Sequence, residues 1–180
     1  MKSFDTFDFT AIPSLNKMLV MELARCEFIS RRENVIALGS SGTGKTHAAL
    51  ALGLSACQRG HAVGFITAAR LVHQLMEARD EKRLIRFQTQ LGNYKLLIID
   101  ELGYVPLSLT GAELLFDVFS QRYERGSTMV TSNLPFERSA YPENDNRILC
   151  SPYNRVQGLG GCSRKTAEWS AFVRPLRRAP

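Results

Sequence analysis

Long apolar runs are missing from this 180-residue chain, and that excludes a membrane-spanning helix. No stretch approaches the roughly 18 consecutive apolar residues such a helix needs. The opening MKSFDTFDFT has no apolar segment of the kind a secretory signal carries, so none is expected. Cysteine is sparse and never grouped: Cys26, Cys57, Cys150 and Cys162 lie far apart with no C-x-x-C pair. Cys26 and Cys57 fall inside apolar helical patterns, as small buried hydrophobes of a reducing compartment do, so a cytoplasmic location is expected. There is no internal repeat. A charge bias is also lacking over most of the chain. Residues 1–136 carry 15 Lys and Arg against 13 Asp and Glu, while residues 137–180 carry 8 against 4. The net charge of +6 therefore sits mostly in the last stretch and is weak support for nucleic-acid binding by itself.

What is present is an alternation of strands and helices, consistent with one domain and a single core. From Ser14, a candidate N-cap, Leu15, Met18, Leu19 and Leu23 share a helical face. NVIALG (Asn34 to Gly39) is a short buried strand, followed by the small-residue helix KTHAALALGLSACQ, which Gly60 closes. AVGFIT is a second strand, and Thr67 caps the helix AARLVHQLMEAR; another helical stretch covers Glu81 to Leu91. KLLIID (Lys95 to Asp100) is the third strand. Thr110 and Glu113 have capping-box spacing and open a helix with Leu114, Leu115, Val118 and Phe119 inward. STMVTS is the fourth strand. Nearly continuous apolar strands separated by helices predict an α/β fold, a mostly parallel sheet covered on both faces.

The chemistry concentrates at the ends of these strands. GSSGTGKT (Gly39, Ser40, Ser41, Gly42, Thr43, Gly44, Lys45, Thr46) fits G-x-x-x-x-G-K-[ST] between a strand and a helix. Glycines let the backbone N–H groups converge on one anion, and the following helix points its positive end at phosphate. Lys45 is placed to reach the β- and γ-phosphates, and Thr46 to offer a hydroxyl to Mg²⁺. Asp100 ends a buried strand at the carboxyl edge, where open α/β sheets bind ligands, and can hold the Mg²⁺ shell. Glu101 beside it is a carboxylate suited to activating water, which favours hydrolysis over transfer to a second substrate. Thr131, Ser132 and Asn133 close the neighbouring strand; Asn133 is the residue read as orienting water or the γ-phosphate. His47 follows the phosphate loop without ligand-spaced partners, so no metal other than Mg²⁺ is expected.

ENVIALGSSGTGKTHAALALG, GFITAARLVHQLMEAR, LLIIDELGYVPLS and RYERGSTMVTSNLPF together resemble the ATPase domain of IstB-type proteins, over about residues 5–136. These are ATP-dependent helpers of insertion-sequence transposases and relatives of DnaC-type helicase loaders. The resemblance implies a three-layer αβα P-loop NTPase of the AAA+ (ASCE) type that uses ATP and Mg²⁺. It also implies self-assembly into a homo-oligomer on double-stranded DNA and presentation of that DNA to a transposase. By position it makes Asp100 and Glu101 the Walker B pair, Lys45 and Thr46 the phosphate and Mg²⁺ residues, and Asn133 the sensor-1 residue; residues 39–47, His47 included, form the nucleotide-binding loop. A helicase loader contacting a replicative helicase, and a nucleotide-binding remnant without turnover, are the alternative readings.

After Phe136 the pattern changes. Four of the seven prolines (Pro142, Pro152, Pro175, Pro180) and a GLGG run lie in residues 137–180, where an irregular, disordered tail is expected beyond a boundary at 136/137. The family's arginine element and its last strand have no match there, although Arg147 and Arg155 lie near the expected place, and the change is what a shifted reading frame produces. The first strand, Val35 to Leu38, is then expected to have an exposed, aggregation-prone edge. Trp169 and Phe172 indicate no site. Arg79, Lys82, Arg83 and Arg86, spaced i, i+3, i+4, i+7, place four cations on one helix face with Leu84, Phe87 and Leu91 opposite; a solvated face is favoured over a DNA contact. Arg122 and Arg125 are read as complementing a helix terminus, a role toward a neighbouring subunit being the lesser alternative.

Overall fold

Each of the four runs expected as strands becomes one, and the segment between successive strands returns the chain to the same edge. The computed structural model describes residues 2–11, 15–104 and 106–133 and the backbone of 174–175. In chain order the elements are α1 (Lys17–Ala24), α2 (Glu27–Ser30), β1 (Val35–Leu38), α3 (Lys45–Gln58), β2 (Val63–Thr67), α4 (Ala68–Asp80), α5 (Leu84–Gly92), β3 (Leu96–Leu102), α6 (Leu109–Arg122), β4 (Ser127–Ser132) and β5 (Arg174–Pro175). The sheet order is β2-β3-β4-β1-β5, with β2, β3, β4 and β1 parallel to one another. This is the α/β architecture expected from the alternation.

The two faces of β3 explain why its sequence is apolar throughout. Successive strand residues point to opposite faces. Leu96 and Ile98 pack into a core with Val20, Leu23, Phe28 and Leu52, under α1, α2 and α3. Leu97 and Ile99 pack into a second core with Leu71, Leu75, Leu115 and Val118, under α4 and α6. Both faces are covered, so no polar alternation is tolerated. Helix α3 approaches the sheet closely because its contact face is small. A Cβ on Gly53 would stand 3.0 Å from Ile98 Cδ1.

At the amino end of the sheet, Arg122 is 4% exposed. Its guanidinium donates to the carbonyls of Leu91 (2.7 Å), Tyr94 (3.1 Å) and Ser127 (2.8 Å) and to Thr128 Oγ1 (3.2 Å). One side chain thereby ties the end of α5 to the approaches of β3 and β4, a planar fork suited to several acceptors at once. Burial lowers its pKa to about 10, still high enough to keep it charged at neutral pH. This replaces the helix-terminus reading: Arg122 is an interior fastener.

Several local expectations are corrected. The cap of α1 is Asn16, whose side chain accepts from Leu19 N at 3.1 Å; Ser14 lies outside the described residues. Leu15 precedes the helix, so Leu19, Val20 and Leu23 define the inner stripe and Met18 is 84% exposed. Ser108, not Thr110, caps α6 by accepting from Gly111 N at 3.1 Å. The earlier start puts Gly111 against α4, where a Cβ would lie 2.7 Å from Val72. Helix α4 stops at Asp80 and α5 begins at Leu84, so the four cations near residue 80 do not share one helix. Lys82 adopts φ 57, and the bonds Arg83 N to Ala78 O and Lys82 N to Arg79 O close α4 in a Schellman motif. Arg79 pairs with Asp80 and Arg83 with Glu81. Cys26 is buried as expected but caps α2 rather than lying within a helix, whereas Cys57 is exposed; both are free thiols.

The outer edge of β1 also differs from expectation. Val35 and Ile36 pair antiparallel with Pro175 and Arg174, so two of the strand's four residues have a neighbour. Unpaired edge amides and carbonyls accept whatever backbone reaches them. Arg147, Arg155, Trp169 and Phe172 lie outside the described residues. Among the described residues no helix is long and apolar enough to cross a membrane.

Candidate functional site

The carboxyl ends of β1, β3 and β4 surround one cleft of about 380 Å³, lined by residues 41–47 with Lys2, Glu101, Tyr104, Thr131, Ser132 and Asn133. β1 delivers the loop. Gly39 N donates to Ser132 O at 3.2 Å, carrying the ladder one step past the strand. The chain then turns through Gly42 (φ 81) and Gly44 (φ 80) into α3, left-handed positions that only glycine adopts freely. Thr43 Oγ1 donates to Ser40 O at 2.8 Å and tightens the turn.

Lys45 is 9% exposed. Its ammonium donates to the carbonyls of Gly39 and Ser40, both at 2.7 Å. Burial pushes its pKa down, partly offset by the nearby Asp100 carboxylate. Asp100, 2% exposed, accepts from Thr46 Oγ1 at 3.2 Å and from Thr131 Oγ1 through the same oxygen, Oδ1. Thr46 and Asp100 are thus joined across the sheet, with the Lys45 ammonium near enough for the carboxylate's charge to act on it.

Glu101 has a more unusual setting. The register runs Ile99↔Val130 and then Leu102↔Ser132, so Asp100 and Glu101 together oppose Thr131 alone. This is a β-bulge, and Glu101 takes φ 61 within it. Its amide donates to Thr131 Oγ1 at 2.9 Å, and its side chain is exposed at the cleft. Asn133 follows β4 directly, and its Oδ1 is buried with no hydrogen-bond partner among the described residues. A buried amide oxygen left unpaired is costly, and such groups concentrate where a ligand or water completes the set.

The structure therefore gathers Gly42, Thr43, Gly44, Lys45, Thr46, Asp100, Glu101 and Asn133 at one end of the sheet. His47 lines the cleft, but its Nε2 lies 3.1 Å from Ser3 O and 3.3 Å from Thr6 Oγ1, and its ring stacks edge-on against Phe7 at 5.2 Å. Because a carbonyl only accepts, Nε2 carries the proton and His47 ties the amino-terminal segment to α3. Sequence reasoning did not find the double use of Thr131, nor Lys2 and Tyr104 as lining residues. The triplet Thr131-Ser132-Asn133 was visible, but only the register shows that the Asp100 carboxylate and the Glu101 amide share one threonine hydroxyl. The residues that fit Mg²⁺ are Thr46 and Asp100, hard oxygen donors already in hydrogen-bond contact. Among the described residues no three His, Cys, Asp or Glu side chains form a metal cluster.

The likeness to known proteins follows this geometry. Residues 1–149 match the family model of the IstB-like ATP binding protein, running past the boundary expected at 136/137. The ATP-binding protein of insertion sequence IS21 from Pseudomonas aeruginosa is 45% identical over 135 residues, 75% of this chain and 51% of that protein. Its counterpart in IS5376 from Geobacillus stearothermophilus is 44% identical over 135 residues, 75% of this chain and 54% of that protein. The chain thus spans about half the length of these relatives. Among solved structures, the DnaC helicase loader superposes with a TM-score of 0.65 at 25% identity, covering 74% of this chain and 77% of that one. AMPPCP-bound DnaA from Aquifex aeolicus superposes with a TM-score of 0.67 at 21% identity, over 76% of this chain and 43% of that one, a likeness of fold. With the family model matched over residues 1–149 and relatives 44–45% identical, the chain belongs to the IstB-like ATP-binding proteins.

Proposed function

We propose that the chain binds Mg-ATP in this cleft and serves as an ATP-dependent helper in insertion-sequence transposition, acting with a transposase on double-stranded DNA. The observation that carries the reading is the cluster in which Lys45, Thr46 and Asp100 meet across the sheet, beside an unpaired Asn133 Oδ1. Lys45 exchanges two loop carbonyls for phosphate oxygens, a charge-assisted contact stronger than the one it gives up. The loop amides and the start of α3 hold the remaining phosphate charge. Thr46 and Asp100 would hold Mg²⁺, which would supply neutralising charge to the phosphates when bound. Glu101, exposed at the cleft, accepts a proton from the attacking water, and Asn133 Oδ1 orients that water.

The 45% identity to an insertion-sequence protein favours transposition; the likeness to a helicase loader supports a second reading in which the partner is a replicative helicase. ATPase activity measured with and without duplex DNA tests the assignment. Turnover stimulated by DNA and lost in both Lys45→Ala and Glu101→Gln supports the helper reading. Binding of ATP without turnover in the unsubstituted chain supports a nucleotide-binding remnant instead. Wild-type DNA-stimulated turnover with a transposase, but no effect of a replicative helicase, separates the two partners.

A further inference from the structure

We infer that Thr131 is a positioning residue for both carboxylates at the end of β3, an assignment that rests on the nucleotide reading above. A bulge leaves one backbone amide without its ladder partner. Here that amide belongs to Glu101, and Thr131 Oγ1 accepts it at 2.9 Å. The same hydroxyl donates its proton to Asp100 Oδ1. A threonine hydroxyl has one donor and two acceptor sites, so a single buried atom, in a residue 1% exposed, serves both acids. Asp100 Oδ1 also accepts from Thr46. Thr131 therefore links the residue that activates water, the residue that holds the ion and the hydroxyl beside the phosphates. The left-handed backbone of Glu101, strained for a residue with a side chain, is held on its amide side by this bond, while its carbonyl accepts from Tyr104 N at 3.3 Å.

The chemistry separates neatly by substitution. Thr131→Val keeps the branched shape that suits a strand but removes the hydroxyl, leaving the Glu101 amide unpaired and Asp100 with one donor fewer. Thr131→Ser keeps both hydrogen bonds. Binding of a fluorescent ATP analogue to the full chain, titrated with MgCl₂, reads the effect on the ion. Thr131→Val is expected to need about tenfold more Mg²⁺ for half-saturation, the size of one charge-assisted hydrogen bond, and Thr131→Ser to stay within about twofold of wild type. A folded Thr131→Val with wild-type Mg²⁺ dependence overturns the assignment. Should Thr131→Val not fold, amide exchange in the wild-type chain decides: the Glu101 N–H is expected to exchange about tenfold or more slowly than a free amide, and unprotected exchange overturns the assignment. A wild-type chain that binds no nucleotide at any Mg²⁺ concentration instead overturns the nucleotide reading itself.

Discussion

The two ends of the sheet both bury a cation, and they treat it in opposite ways. At the amino end, Arg122 donates to three carbonyls and a hydroxyl drawn from different elements. At the carboxyl end, Lys45 leans on two carbonyls of its own loop, Asp100 on two hydroxyls, and Asn133 Oδ1 on nothing among the described residues. The first arrangement spans elements distant in sequence and holds them together. The second also crosses the sheet, through Asp100 to Thr46 and Thr131, but the Lys45 bonds stay within one loop and can be exchanged for those of a ligand without opening the core. Buried charge thus serves cohesion at one end and, in the proposed function, recognition at the other.

That contrast is sharpest in stability. Arg122→Met is expected to cost about 3–5 kcal/mol in chemical denaturation, because three inward carbonyls lose their donor. Arg122→Lys should recover only part of this, since an ammonium cannot reproduce the fork. A loss below about 1 kcal/mol in the Met variant would erase the distinction between the two ends. Lys45→Ala should do the reverse, lowering nucleotide affinity about a hundredfold or more while leaving stability within about 1 kcal/mol. The pH dependence follows from the direction of the Lys45 shift. Its folded pKa lies below the ordinary 10.5, so between the two values the unfolded chain binds more protons and stability rises with pH. The alkaline gain relative to Lys45→Ala is the measurable difference, read from melts of both chains below pH 10.5; an identical slope in both counts against a buried, charged Lys45. The smallest effect is expected at Asn133. Removing an oxygen that makes no bond, in Asn133→Ala, should leave stability unchanged or raise it by up to about 1 kcal/mol, while any DNA-stimulated turnover falls. A clear destabilisation would mean that Asn133 belongs with Arg122 as a structural group.

Much of the fold was legible because parallel strands buried on two faces print as apolar runs, as LLII in β3 does. The phosphate loop was legible because its geometry demands glycine at fixed places. The departures occurred where equivalent signals compete or where the signal residue is absent. Ser108 and Thr110 are both competent caps, and the packing of Gly111 against Val72 decides between them. The stop after α4 uses Lys82 at a left-handed position where glycine is usual, so the cationic spacing read as one continuous face. Arg122 looked like a terminal charge because its acceptors are main-chain carbonyls, which every residue has and no sequence distinguishes. In the site, the acids and the polar triplet were visible as types. Their pairing depends on strand register, a property of two segments together.

The bulge in β3 also constrains how this site can vary in length. Side chains alternate between the two layers along a regular strand, so consecutive acids at a strand end would diverge. One surplus position against Thr131 is what lets Asp100 stay interior while Glu101 emerges beside it. Deleting either would mend the ladder and misplace an acid, whereas loops on the far rim can lengthen or shrink with no such penalty. Tolerance of insertions and deletions should therefore be lowest at a spot where the hydrogen-bond pattern is least regular.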